Sequence, residues 1–291
     1  NDVDFIGLSN VKNAEDVIKI NRFLGYNDIR QVIGGKIKVI IKINEESLRN
    51  YKEIIEESYG IIIDRNILTL GNKYEKLPRL QKIMVDECNK QGKPVIIGGQ
   101  LLESMMRDKI PTKAEVYDVA NAVLDKASCL MLSSGIESGR YPIEALDTLS
   151  KIIKNVEASY KPTQEEIVAE NKDLTQFIGK VASEVCKTLN IDAILIITTG
   201  GYSARMISSK RLNCKVIAAT SSEKIFRQLN LLWGIEPLFV NADFEDISNE
   251  EKKEVILKAI KNGFIKKNDK IAIIASVFHG KSKRTNLLEI H

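Results

Sequence analysis

Apolar runs and helical stripes alternate along this chain with little interruption. Residues 3–8 form an apolar run that stops at Ser9 and reads as a buried parallel strand. The spacing predicts a helix over 14–24, with Val17, Ile18 and Ile20 in its apolar stripe. The pattern then gives a strand at 38–43, a helix at 46–58 with Leu48, Tyr51, Ile54 and Ile55 near one face, and a strand at 61–63. A helix at 77–89, a strand at 94–97, a helix opened by Thr112, a strand at 129–132 and a helix at 142–156 follow. Thr112 and Glu115 have the spacing of a capping box. Behind them Val116, Val119, Ala120, Val123 and Leu124 recur at helical spacing. Strict alternation with β-branched strands predicts a parallel sheet with right-handed crossovers. Five strands do not close an eight-stranded barrel.

Pro162 and Thr163 mark a boundary, and Thr163 with Glu166 spells a second capping box. Ile178, Val181, Ala182, Val185 and Cys186 make a helix stripe beyond it. Strands are expected at 193–199, 215–220, 238–240 and 270–276, and helices at 222–231 and 250–262. Residues 287–290 read as an antiparallel edge strand. The expected domains are 1–157 and 158–291. No internal repeat or low-complexity tract interrupts them.

Composition narrows the function classes. The chain has 291 residues, 44% hydrophobic and 28% charged, which suits a globular protein of one large or two smaller domains. A net charge of +4, with Lys spread over helix surfaces, gives no nucleic-acid footprint. No apolar run approaches the roughly 18–20 residues needed to span a bilayer, and no secretory signal is visible. A cytoplasmic protein with neither nucleic acid nor membrane as partner is the expectation. Cys88, Cys129, Cys186 and Cys214 fit neither a zinc site nor a disulfide framework, so buried free thiols are expected. His279 lies in a loop and His291 is the last residue; neither suggests catalysis. The first residue is Asn1 rather than Met, which suggests a trimmed or partial product.

The stretch from Lys93 to Arg107 is the most informative. Val95, Ile96 and Ile97 read as a short buried strand, Gly98 and Gly99 as a sharp turn, and 100–107 as a short helix. The carboxyl end of such a strand is where ligands bind in parallel α/β folds. Gln100-Leu101-Leu102-Glu103-Ser104-Met105 is followed by Pro111-Thr112-Lys113-Ala114-Glu115, then by Asp118-Val119-Ala120-Asn121-Ala122-Val123-Leu124-Asp125. This motif set resembles the pyruvate kinase family, and the resemblance extends over almost the whole chain. It implies an α/β fold made of a partial TIM (β/α)8 barrel, its last five strands, plus the family's C-terminal open α/β domain. The first three barrel strands and the lid domain have no counterpart in this sequence.

The resemblance also implies where phosphoryl transfer belongs. The family uses a Lys, a divalent metal on two carboxylates, a Thr hydroxyl and a potassium ion, and such chemistry is mainly positioning and charge neutralisation. Lys42, in Lys38-Val39-Ile40-Ile41-Lys42-Ile43-Asn44, falls on the phosphoryl-stabilising lysine. The family's first metal carboxylate is Asn44 here, with Glu45 next to it. Gly60-Ile61-Ile62-Ile63-Asp64-Arg65-Asn66-Ile67 keeps the family's Arg as Arg65, but the second metal carboxylate is Ile67 and a family Gly is Asn66. The family's Thr is Gly99. Met131-Leu132-Ser133-Ser134-Gly135-Ile136 has lost an acidic residue. The scaffold is kept while the chemistry is lost, so no bound cofactor is expected although the family uses Mg²⁺ and K⁺.

Thr199, Gly200, Gly201 and Ser203 sit in a loop between a strand and a helix, where the family holds the phosphate of a sugar bisphosphate. The later loop at 278–286 has fewer glycines than the family and more charge. Trp233 reads as a packing residue. The expectation drawn from the resemblance is a glycolytic pyruvate kinase-like subunit without catalysis, the structural or regulatory partner of an active pyruvate kinase paralogue in an oligomer, with a homo-oligomer as second choice. Two alternatives stand beside it: an active pyruvate kinase with a rearranged metal site using Glu45 or Asp64, and a module that senses sugar phosphates.

Overall fold

The computed structural model describes residues 2–25, 37–68, 74–159, 174–242, 244, 247–275 and 285–291. Asn1, His279, the capping box expected at Thr163 and Glu166, and most of the loop at 278–286 lie outside them. The chain divides into two compact units. One spans Phe5–Ile29 and Lys38–Lys161; the other spans Asn1–Asp4, Arg30–Ile37 and Pro162–His291.

The first unit is built on five parallel strands in sequential order: β1 (Phe5–Leu8), β2 (Lys38–Ile43), β3 (Gly60–Asp64), β4 (Val95–Gly98) and β5 (Cys129–Met131). Its helices are α1 (Ala14–Phe23), α2 (Tyr51–Glu57), α3 (Arg65–Leu68), α4 (Leu77–Lys90), α5 (Lys113–Leu124), α6 (Ser134–Glu137) and α7 (Pro142–Ser159). Alternate residues of a strand face opposite sides of the sheet. On one side Ile41, Ile43, Ile61, Ile63, Val95 and Ile97 are buried in a single cluster with Val17 of α1, Ile54 and Ile55 of α2, and Met84, Val85 and Cys88 of α4. Each such side chain contributes roughly 1.5–3 kcal/mol by leaving water. Lys42 stands on the other side, because it pairs in register with Ile62, and Asp64 pairs with Gly98. A second cluster joins Leu101, Leu102 and Met105 to Val119 of α5 and to Ala145 and Leu149 of α7.

Gly60 is required by a close approach. A Cβ there would lie 2.3 Å from the carbonyl oxygen of Pro94, which accepts the Ile61 amide at 3.1 Å. The predicted stripe of α5 is only partly buried: Val119 lies in the core, whereas Leu124 is 51% exposed.

The second unit has α8 (Leu174–Leu189), β6 (Ala193–Ile197), α9 (Tyr202–Ser208), β7 (Lys215–Thr220), α10 (Glu223–Leu229), β8 (Ile235–Phe239), α11 (Asn249–Lys261), β9 (Ile271–Ala275) and β10 (Leu287–Ile290). The sheet order is β10-β9-β6-β7-β8, with β10 antiparallel and the rest parallel. Ile194, Ile196, Val216, Ala218, Ala272 and Ile274 pack towards α8, α9 and α10. Their neighbours Leu195, Ile197, Ile217, Ala219 and Ile273 pack towards Val255 and Ala259 of α11. The continuous apolar strands follow from a sheet covered on both faces. Asp2 and Asp4 belong to this unit. Arg227 donates to Asp2 at 2.6 Å and to Asp4 at 2.9 Å, Lys224 pairs with Asp2 at 3.3 Å, and the Gln228 amide donates to the Asp4 carbonyl at 3.0 Å. Among the described residues no helix is long and apolar enough to cross a membrane.

Candidate functional site

The carboxyl ends of β2, β3 and β4 bring Lys42, Asp64 and Gly99 together. Lys42 Nζ lies 2.7 Å from Asp64 Oδ2, with the two side chains 29% and 12% exposed. The other oxygen, Oδ1, accepts the Asn66 amide at 3.0 Å. Gly99 packs against the same group. Its φ of +77° is a left-handed conformation that disfavours a Cβ, and a Cβ there would stand 2.6 Å from Asp64 Oδ1. A side chain at position 99 would therefore have to displace the Asp64 carboxylate, and it would also crowd the Arg65 and Asn66 amide nitrogens at 3.1 and 3.2 Å. The lysine expected to meet a phosphoryl group meets an internal carboxylate instead.

Asn44 and Arg65 have structural partners. Asn44 Oδ1 accepts the Ser47 amide at 2.9 Å, while Ser47 Oγ accepts the Asn44 amide at 2.7 Å. This reciprocal turn starts the next segment as a 3-10 helix at Ser47–Asn50 before α2, rather than the single helix expected from residue 46. Arg65 Nη1 donates to both oxygens of Asp118 at 2.6 Å, tying α3 to α5. In this arrangement its guanidinium braces the unit. Ile67 lies half-buried in α3 and Glu45 is exposed.

The helix expected over 100–107 is reduced to a 3-10 turn at Glu103–Met106. Gln100 (φ 58°) and Leu102 (φ 53°) are left-handed, which an α-helix does not permit. Leu101 and Leu102 are fully buried, so packing holds the strained turn. The Ser104 amide donates to Glu115 at 2.8 Å, and the Thr112 amide does so at 2.9 Å. Thr112 and Glu115 form the expected capping box of α5. Burial alone would raise the Glu115 carboxyl; the hydrogen bonds from Ser104 and Thr112 outweigh it and hold the group below the usual carboxylate range.

In the second unit the loop after β6 is organised by Thr198, which the sequence reading passed over. Its hydroxyl accepts the Gly201 amide at 3.0 Å, and Gly201 (φ +77°) caps α9. Thr199 is exposed, Gly200 is half-buried, and the Ser203 hydroxyl is engaged with that of Thr285. The hydroxyl pair could not be read locally, since its members are 82 residues apart. Trp233 is a packing residue, with Arg211 stacked 4.5 Å over its ring.

Successive parallel βα units, with polar groups gathered beyond the strand ends and a separate doubly wound sheet, define an α/β protein of the (β/α)-barrel kind. The chain belongs to the pyruvate kinase family: the family's barrel domain matches residues 1–146 and its alpha/beta domain matches residues 176–291. The chain is 36% identical over 293 aligned residues to a pyruvate kinase of Sporosarcina psychrophila, covering 99% of this chain and 49% of that protein. It is 33% identical to a pyruvate kinase of Geobacillus stearothermophilus, with 99% and 49% covered, and 34% identical to one of Clostridium acetobutylicum, with 99% and 60% covered. The chain thus spans about half the length of the curated relatives it matches.

The comparisons overturn the expectation that no cofactor is bound. The relatives are pyruvate kinases by name, and the family's chemistry uses Mg²⁺ and K⁺, so family membership argues for these ions. The side chains at the two family metal positions are a separate matter. Asn44 has its amide oxygen on Ser47, Ile67 has no donor atom, and no three His, Cys, Asp or Glu converge among the described residues. These positions do not form the family's two-carboxylate cradle.

Proposed function

We propose that this chain is a pyruvate kinase-like subunit of glycolysis, inactive in phosphoryl transfer, that acts as the structural or regulatory partner of an active pyruvate kinase. The observation that carries the reading is the Lys42–Asp64 pair at 2.7 Å. A cation that must stabilise a transferring phosphoryl group is useful only where its charge is free to meet it. Here an internal carboxylate holds it, and Gly99 leaves no hydroxyl beside the pair. This argument is independent of whether the family's ions are bound. Glycolysis would place the protein in the cytoplasm.

Partnering is supported by the apolar residues left exposed on one helix pair. Tyr117 and Leu124 of α5, and Ile143 and Leu146 of α7, are each more than half exposed. Tyr117 with Leu124, and Ile143 with Leu146, recur at helical spacing, so each pair shares a helix face.

A coupled assay with phosphoenolpyruvate, ADP, Mg²⁺ and K⁺ tests the reading. We expect no turnover from the full chain alone, and co-elution in fixed ratio when it is co-expressed with an active pyruvate kinase. Turnover in the ordinary range of roughly 1–1000 s⁻¹ would establish the active-enzyme alternative. A second reading, a sensor of sugar phosphates, is favoured by the Thr198-braced loop with Thr199 exposed. It requires a rise in thermal midpoint with a sugar bisphosphate that is lost in Thr199→Val.

A further inference from the structure

We propose that Cys186 and Cys214 form a redox-active dithiol that closes reversibly to an intramolecular disulfide in the C-terminal unit. Cys186 lies in the last turns of α8, and Cys214 directly precedes β7. Both are free, and their Sγ atoms stand 2.8 Å apart, within hydrogen-bonding distance. Disulfide formation therefore needs only a small further approach of two sulfurs already aimed at each other. Their surroundings are unequal. Cys186 is buried beside Ile194 and Val216, while Cys214 is partly buried at the rim of the same cluster and is reachable from solvent.

The inequality assigns the roles. Cys214, at the solvent-reachable rim, meets the oxidant first and is the nucleophile; the hydrogen bond shared with Cys186 holds its thiol below the ordinary range. Cys186, buried and 2.8 Å from it, resolves; the shared hydrogen bond and burial push its thiol up. With a low-molecular-weight disulfide as oxidant, the Cys214 thiolate attacks one sulfur and forms a mixed disulfide as one small thiolate leaves. Cys186 then gives its proton to that thiolate, and its sulfur attacks Cys214 Sγ, displacing the second small thiolate, which takes up from solvent the proton that Cys214 released on ionising. Two protein thiols are oxidised by two electrons, and one small disulfide is reduced to two thiols. In a reducing compartment such a bond is transient and reports redox state. Cys88 is the contrast: it is fully buried, and burial pushes its thiol up, out of reach of this chemistry.

The test uses the full chain, first reduced and then equilibrated with mixtures of reduced and oxidised glutathione. Remaining thiols are blocked and the protein is mapped by mass spectrometry without reduction. We expect a linked peptide pair containing Cys186 and Cys214, an intact mass lower by two hydrogen atoms, full reversal by a thiol reductant, and Cys88 unmodified. In Cys186→Ser, Cys214 should stop at the glutathione mixed disulfide. The wild-type map decides the matter even if that variant does not fold. All four cysteines free at every ratio, linkage between a different pair, or a wild-type mixed disulfide at Cys214 that never resolves would each overturn the proposal.

Discussion

A partly shielded ion pair such as Lys42–Asp64 is weak evidence for stability, because desolvation offsets much of the attraction. Its larger consequence is for anions. Asp64→Ala should cost about 1–2 kcal/mol of stability, since Asn66 loses an acceptor and Lys42 a partner. The same change should tighten phosphoenolpyruvate binding about tenfold, or roughly 1.4 kcal/mol. Titration calorimetry reads this, and unchanged affinity would show that Asp64 does not mask the lysine. Gly99→Thr should be more damaging alone than in the Asp64→Ala background, because the 2.6 Å conflict is then relieved; additive effects in a urea-denaturation cycle would refute the coupling. Glu115 gives a pH signature. Its folded value lies below the ordinary 4.5, so its contribution is complete above that value and is lost as pH falls through the lower folded one. Between about pH 5 and pH 3 the urea midpoint of Glu115→Gln should therefore fall less than that of the wild type. The motif places Lys42 at the carboxyl end of β2, where the structure has it, but its pairing was not legible. The available signal was two opposite charges near the ends of adjacent β-branched strands, a diagonal cross-strand relation that only the register makes visible.

Strand existence was written in the apolar runs, and β2, β7 and β10 fall where those runs place them. β8 was read too short because Pro237 interrupts it. Proline lacks a ladder donor and is tolerated only at an edge, which is where the order puts β8. The turn after β4 was misread as a helix because left-handed φ at Gln100 and Leu102 leaves no mark in periodicity. Packing between elements supplies a paired prediction. Gly60→Ala should push β3 from the residue before β4 and cost about 1–3 kcal/mol by overpacking. Gly7→Ala in β1 meets nothing nearer than Ile62 Cδ1 at 3.9 Å, so its urea midpoint should stay close to wild type. Equal losses in the two variants would contradict the close approach assigned to Gly60.

For the whole molecule, the exposed α5–α7 residues make assembly testable apart from catalysis. Ile143→Lys with Leu146→Lys should abolish co-elution with an active pyruvate kinase while leaving far-UV circular dichroism unchanged, since both side chains are already outside the core. Persistent co-elution would move the interface elsewhere. The acidic residues at the start of the chain carry a different consequence. Asp2 and Asp4 are partners of Arg227 and Lys224, yet Phe5, the next residue on, begins the sheet of the other unit. The C-terminal unit thus draws on residues before β1 as well as on those after α7, and the two units are not two consecutive lengths of chain. A single cut after α7 would not dissect the protein along its own seam: the released C-terminal fragment would lack those carboxylates and should unfold at a lower urea concentration than the same fragment supplied with its acidic leader.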